Sequence, residues 1–191
     1  VRLEFLGLDT YADVFLNETR ILTADNMFRR WAAEVKPLLK ERGNVLRVYF
    51  PSPINKALPQ YESLPYRYEA WNDQADNGGL DGKKLSPFTR KAGYHYGWDW
   101  GPRLVTSGIW RPVKLQGWNE LRLEDVFHRQ TEVSSEAARV ETQVEIEAAA
   151  PVENALVTVS DGKRVLGSRS VQLHAGMNRV SVPFTIDHPK L

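Results

Sequence analysis

One stretch of ten residues carries most of the information in this chain. Its sequence is Tyr94-His95-Tyr96-Gly97-Trp98-Asp99-Trp100-Gly101-Pro102-Arg103. A buried strand would leave Asp99 as an unpaired charge between two tryptophans, whereas the glycines and the proline are typical of a sharply turning loop. Rings beside a carboxylate offer a sugar a flat face for its C–H surface and ionised acceptors for its hydroxyls. Loops that only cap a β-sandwich use the same rings, so composition alone leaves both alternatives open.

The order of residues around this loop is more specific than its composition. The run from Arg90 to Arg103, followed by Thr106-Ser107-Gly108-Ile109-Trp110-Arg111-Pro112-Val113, closely resembles the β-mannosidases of glycoside hydrolase family 2. Two earlier blocks, at residues 7–17 and 43–50, are similar to the same family and occur in its order. The Gly-Ile-Trp-Arg-Pro-Val segment alone would indicate only the broad family, which includes β-galactosidases and β-glucuronidases. The Gly-Trp-Asp-Trp-Gly-Pro-Arg run is the part that resembles mannosidases in particular.

The resemblance implies an all-β fold with two domains. Residues 1–118 are expected to form a jelly-roll (galactose-binding-like) β-sandwich that binds sugar and lacks its amino-terminal part. Residues 119–191 are expected to form an immunoglobulin-like β-sandwich that lacks its carboxy-terminal part. The residues themselves also favour a sandwich for the second half, because short alternating strands follow one another at regular intervals with turn signals between them.

Local patterns predict several elements of the first half. Alternating apolar residues indicate strands through residue 50, with a hairpin turn at Asn17-Glu18, where the family usually has Asn-Gly. A short strand is expected through Val35, followed by one helical turn. The proline-rich residues 51–93 are predicted to be an irregular excursion. A continuous strand is expected from Ile109 to Gln116, and an incomplete jelly roll would expose an edge at residues 3–6.

The resemblance also implies which residues bind substrate, namely Trp98, Asp99, Trp100 and Arg103. The loop would reach into the catalytic pocket of a following (β/α)-barrel and help to form the subsite for mannose. There Asp99 would accept two hydroxyl hydrogen bonds, Trp98 would form a wall, and Trp100 would pack behind the loop. Arg103 is the best candidate to hold Asp99 ionised, ahead of Arg90 and Arg111. The alternative is that Asp99 only caps a turn through backbone amides.

The chain is not expected to complete catalysis by itself. Retaining glycosidases need two carboxylic residues across the scissile bond, and the resemblance implies that both are glutamates in the barrel beyond Leu191. The chain is therefore predicted to be the non-catalytic amino-terminal part of a retaining β-mannosidase acting on terminal β-D-mannose. Its expected partners are a mannose-containing oligosaccharide and the barrel of the same protein. Three alternatives remain: an autonomous carbohydrate-binding module, another family 2 glycosidase of the β-galactosidase or β-glucuronidase type, and a purely structural sandwich.

Composition excludes several other classes of function. Lys and Arg total 25 against 24 Asp and Glu, for a net charge of +1, which offers no electrostatic case for nucleic acid or an anionic membrane. No run of about 18 apolar residues predicts a membrane span, and no signal peptide is recognisable within these residues. The chain has no cysteine, and its histidines lack ligand spacing, so neither a metal nor a cofactor is expected. The compartment stays open between bacterial cytoplasm and periplasm or secretion.

Overall fold

β-Strands dominate the computed structural model, which describes residues 1–98 and 100–190, apart from the side chains of residues 77 and 78. The chain divides into two units, Val1–Gly117 and Trp118–Leu191. None of the helices among the described residues is long and apolar enough to span a membrane.

The first unit is built from short strands around one apolar core. Its strands are Arg2–Phe5 (β1), Leu8–Asp9 (β2), Tyr11–Leu16 (β3), Thr19–Asp25 (β4), Trp31–Glu34 (β5), Leu46–Tyr49 (β6), Gly108–Ile109 (β7) and Val113–Gln116 (β8). Two antiparallel sheets have the strand orders β5-β1-β8 and β4-β3-β6, and β2 pairs with β7. Alternate residues of β1 and β3 point inward, and Phe5 and Val14 are fully buried. Burying each such side chain contributes about 1.5–3 kcal/mol.

The predicted hairpin turn joins β3 to β4. Asn17 and Glu18 both have positive φ, 48° and 69°, and Leu16 pairs with Thr19 across the turn. Positive φ at both central residues defines the type I′ turn, whose twist matches that of the strands. Asn17 also anchors the turn, because its side chain donates to the Leu38 carbonyl at 2.8 Å and accepts from the Val45 amide at 2.9 Å. The predicted strand and helical turn near Val35 are confirmed as β5 and a 3₁₀ turn at Lys36–Leu38.

The expectation of an irregular excursion over residues 51–93 is wrong in part, because Pro53–Ser63 form an α-helix (α1). Ser52 caps this helix by accepting a hydrogen bond from the Asn55 amide, and Pro53 occupies the first turn, where its missing N–H costs nothing. Only Pro59 lies further inside the helix. Beyond α1 the segment contains 3₁₀ turns at Ala75–Gly78, Ser86–Phe88 and Gly93–Tyr96.

The strand predicted over residues 109–116 is interrupted. It forms two short strands, β7 and β8, which pair with different partners, β2 and β1. At the break, Trp110 packs against Gly7 so closely that a Cβ on Gly7 would lie 2.4 Å from the indole nitrogen. That indole N–H donates to the Met27 carbonyl at 3.2 Å. The expected exposed edge at residues 3–6 is also wrong, because β1 lies between β5 and β8.

The second unit is a sandwich of longer strands. They are Leu121–Val133 (β9), Ala137–Ala148 (β10), Val152–Ser160 (β11), Val165–Leu173 (β12) and Gly176–Asp187 (β13). One sheet has the order β13-β10-β9, and the other pairs β11 with β12. Side chains from both sheets share one core, formed by Val144, Ile146, Ala148, Leu173, Val180 and Val182. The predicted alternation is therefore confirmed, whereas assignment as an immunoglobulin-like domain stays a prediction.

Candidate functional site

The loop singled out from the sequence is closed by its own backbone. Trp98 and Gly101 exchange two backbone hydrogen bonds of 3.2 Å each, and the Leu104 amide donates to the His95 carbonyl at 3.0 Å. Gly97 has a φ of 104°, which glycine adopts without the steric cost other residues face. Asp99 lies outside the described residues, so its predicted contacts stay a prediction.

The rings of this loop divide into one buried ring and several exposed ones. Tyr96 is fully buried, whereas Tyr94 and Trp98 are exposed. The expectation that Trp100 packs behind the loop is wrong, because its side chain is 87% exposed. Tyr96, rather than Trp100, is therefore the buried ring among the described residues of the loop.

Asp73 is the buried centre that supports one flank of the loop. Its Oδ2 accepts hydrogen bonds from the backbone amides of Leu85 at 2.7 Å and Ser86 at 2.9 Å. Its Oδ1 lies 3.4 Å from Arg103 Nε, and the two side chains are 0% and 8% exposed. The Arg103 guanidinium also lies 5.6 Å from the centroid of the Tyr96 ring. Among the described residues, Arg103 thus pairs with Asp73, and this geometry favours a supporting role over the predicted contact with sugar.

The neighbouring chain adds two further contacts on that flank. The Gln74 amide donates to the Tyr96 carbonyl at 2.9 Å. A Cβ at Gly97 would lie 2.5 Å from Gln74 Cγ, so the loop and the segment after α1 pack with backbone against side chain. The other arginines that were considered as partners of Asp99 have their own surroundings. Arg111 stacks 4.2 Å from the Trp110 ring centroid, and Arg90 is exposed.

A buried ion pair that sequence reasoning missed lies at the other flank. Lys91 Nζ contacts both carboxylate oxygens of Asp9, at 2.6 and 2.5 Å, and donates to the Thr106 carbonyl at 2.7 Å. The Thr10 hydroxyl donates to the same carboxylate at 2.6 Å. Burial lowers the pKa of Lys91, while the hydrogen bond and the charge of Asp9 oppose that shift. The available signal was Asp9 directly after the apolar Leu8, but its partner stands 82 residues away.

His95 extends this ion pair into the loop. Its Nδ1 lies 3.2 Å from both the Leu104 carbonyl and the Thr106 hydroxyl oxygen, and its Nε2 lies 3.8 Å from Asp9 Oδ2. A cavity of about 290 Å³ opens beside these groups, with Tyr94 and Trp110 in its wall. Among the described residues, no cluster of three or more His, Asp or Glu side chains is arranged to bind a metal.

Three carboxylates of the first unit are engaged by neighbouring protein groups. Asp9 is held by Lys91 and Thr10, and Asp73 is held by two amides and Arg103. Asp13 accepts from the Thr23 hydroxyl at 2.9 Å on the outer face of β3. Neither Asp9 with Asp13 nor Asp73 with Asp76 therefore presents two free carboxylates to a substrate.

The chain is similar to glycoside hydrolases in both sequence and structure. The model of the glycosyl hydrolase 2 galactose-binding domain-like family matches residues 1–111. β-Mannosidase B of Thermothelomyces thermophilus is 37% identical over 189 residues, which cover 98% of this chain and 21% of that protein. The crystal structure of a β-D-mannosidase from Dictyoglomus thermophilum superposes with a TM-score of 0.80 at 36% identity, over 100% of this chain and 22% of that one. An exo-chitosanase from Amycolatopsis orientalis, 18% identical with a TM-score of 0.64, shares the fold.

These similarities confirm the resemblance predicted from the loop motif and the all-β fold with a galactose-binding-like sandwich. The chain spans about a fifth of the length of the relatives that it matches.

Proposed function

Because the chain belongs to the glycosyl hydrolase 2 galactose-binding domain-like family, we propose that it is the non-catalytic amino-terminal part of a retaining β-mannosidase. The whole protein would hydrolyse terminal non-reducing β-D-mannose residues of oligosaccharides. The observation that carries this proposal is the loop around Trp98 and Trp100, which presents exposed rings on a buried, charge-paired base. Its sequence is the part of the chain that resembles mannosidases in particular.

The loop would supply substrate recognition. Trp98 and Trp100 would offer ring faces to the C–H surface of the sugar, and Asp99 would accept two hydroxyl hydrogen bonds as an ionised carboxylate. Arg103 would act on the loop rather than on the sugar, because its side chain is buried against Asp73 and Tyr96. Because Trp100 is exposed, its side chain would contact the substrate rather than support the loop from behind.

The bond-breaking chemistry would lie in a (β/α)-barrel elsewhere in the whole protein. A retaining mechanism needs two free carboxyl groups about 5–5.5 Å apart, one as acid/base and one as nucleophile. Asp9 and Asp73, the buried carboxylates beside the loop, are both engaged in ion pairs. This engagement supports a division of labour in which these residues shape the subsite and the barrel breaks the glycosidic bond.

A substrate panel tests the proposal. The full-length protein is assayed with aryl β-mannoside, β-galactoside and β-glucuronide, and residues 1–191 are assayed alone as a matched control. We expect kcat/KM to be highest for the mannoside and turnover by residues 1–191 to equal the background. Preference for galactoside or glucuronide would favour another family 2 glycosidase, and turnover by residues 1–191 would refute the assignment of catalysis to the barrel.

An autonomous carbohydrate-binding module is the second candidate. The observation that favours it is the exposure of Trp71 and Trp100, at 83% and 87%. Calorimetric titration of residues 1–191 with a β-mannan oligosaccharide separates the two functions. A module binds the oligosaccharide alone, whereas an incomplete subsite gives no measurable heat.

A further inference from the structure

The chain segments before and after the loop meet at a single buried atom. Lys91 lies three residues before Tyr94, and Thr106 lies three residues after Arg103. Lys91 Nζ uses its three donors on the two oxygens of Asp9 and on the Thr106 carbonyl. Asp9 belongs to β2, which pairs with β7 immediately after Thr106 and Ser107. The ammonium therefore ties both ends of the loop to the sheet.

Because the ion pair is buried, conformations that separate Lys91 from its partners are disfavoured. The side chains of Lys91 and Asp9 are 0% and 6% exposed, so both charges depend mainly on their protein partners. A buried ion pair is a weak source of net stability, because desolvation offsets much of the attraction. Removal of one partner is nevertheless costly, and a conformation that separated Lys91 from Asp9 or Thr106 would meet that cost. The ion pair thus fixes the conformation of the loop but adds little to the free energy of unfolding.

His95 provides a second connection on the same side. His95 Nδ1 lies 3.2 Å from both the Leu104 carbonyl oxygen and the Thr106 hydroxyl oxygen, so the ring contacts the segment that follows the loop. The ring nitrogen on the other side then lies 3.8 Å from Asp9 Oδ2. The imidazole therefore lies between the segment that follows the loop and the buried carboxylate.

We propose that Lys91 is a positioning residue for the sugar subsite, acting through Asp9 and His95 on the loop that carries Trp98 and Trp100. This inference rests on the proposed function, since it assigns the loop to a mannose subsite. The buried charge network pre-organises the subsite by fixing both ends of the loop. Displacement of a binding group by about 1 Å can lower catalytic efficiency about a hundredfold, so release of the network lowers activity without unfolding the sandwich.

The experiment uses full-length protein and replaces the ion pair with neutral groups of similar size. In the double variant Asp9→Asn with Lys91→Met, no charge is left buried without a partner, so the melting temperature stays within a few degrees of the parent. We expect kcat/KM for an aryl β-mannoside to fall between about tenfold and a hundredfold. Lys83→Met is the matched control, because Lys83 pairs with Glu62 on the surface, and it keeps parental kinetics.

Hydrogen exchange gives a readout that does not depend on catalysis. Peptides covering residues 93–106 exchange faster in the double variant, whereas peptides from β9 to β13 are unchanged. If the double variant does not fold, His95→Ala provides the test, because it leaves the ion pair in place. This variant lowers kcat/KM and raises exchange in the same peptides.

The outcomes separate the inference from the proposed function. Parental kcat/KM and parental exchange over residues 93–106 in the double variant, or in His95→Ala if the double variant is unfolded, would overturn the positioning role alone. Absence of β-mannoside hydrolysis by the unmodified full-length protein would overturn the proposed function, and the exchange measurement would still decide whether Lys91 fixes the loop.

Discussion

The buried phenol of Tyr96 makes the stability of the folded chain depend on pH. Burial raises the pKa of its phenol, and the charges of Asp73 and Tyr11 add to the shift, whereas Thr89 and Arg103 oppose it. Unfolding exposes this phenol to water, where its pKa is about 10. The folded-state pKa is therefore the higher one, so the contribution of Tyr96 to stability is full below pH 10 and is lost as pH rises through the folded-state pKa.

The raised pKa predicts how Tyr96→Phe changes the pH dependence of the free energy of unfolding. We expect the free energy of unfolding of the parent to fall more steeply above about pH 10 than that of the variant, because phenylalanine does not titrate. The measurement is urea unfolding of both proteins at pH 8 and at pH 10.5. Identical losses of stability between the two pH values would show that Tyr96 is not protected from ionisation in the folded state.

The two buried ion pairs beside the loop could not be predicted from the sequence. The aromatic loop and its punctuation by Gly97, Gly101 and Pro102 were visible in the sequence, because they are contiguous. Lys91 and Asp9 are 82 residues apart, and Arg103 and Asp73 are 30 apart. Pairing over such distances is set by tertiary packing, so a lysine beside an arginine could not be distinguished from a solvated charge.

The β3–β4 hairpin provides a prediction at the scale of one element. Glu18 has a φ of 69°, in the left-handed region that costs a non-glycine residue about 1–2 kcal/mol. Glycine avoids that cost but loses about 0.5–1 kcal/mol of chain entropy on folding. We therefore expect Glu18→Gly to raise the free energy of unfolding by about 0.5–1 kcal/mol in urea titration.

Glu18→Ala is the matched control for this substitution. Both variants remove the exposed contact between Glu18 and Arg47 at 3.7 Å, which is worth little, but only glycine relieves the backbone. Equal stability of the two variants would contradict the account of the turn.

The observed helix and strand boundaries differ from the sequence prediction at Pro53 and at Trp110. Prolines in residues 51–65 suggested an irregular loop, yet Pro53 in the first turn, after the Ser52 cap, is compatible with a helix. Period-two alternation at residues 109–115 suggested one strand, yet the chain forms two short strands with Trp110 packed against Gly7 between them. The core strands were predictable because alternation alone places Leu3, Phe5, Val14 and their neighbours inside.

At the scale of the whole molecule, the sheet order predicts where the first unit is most stable. Strand β1 pairs on both sides, with β5 and with β8, and its Leu3 and Phe5 side chains are buried. Amides of such a strand exchange only when the unit opens broadly. We expect hydrogen exchange at residues 3–5 of the intact protein to be much slower than at the exposed residues 40–44. Comparable rates in the two segments would contradict the central position of β1.

If this chain supplies mannose recognition to a catalytic barrel, as we propose, replacement of Asp99 is the decisive experiment. In the full-length protein, Asp99→Ala removes a charged acceptor for one or two hydroxyl hydrogen bonds, each worth about 1.5–3 kcal/mol. The prediction is a loss of roughly tenfold to several hundredfold in kcat/KM on an aryl β-mannoside, with a nearly unchanged melting temperature. Near-normal kcat/KM with a large fall in melting temperature would contradict the claim, because Asp99 would then be a cap of the turn.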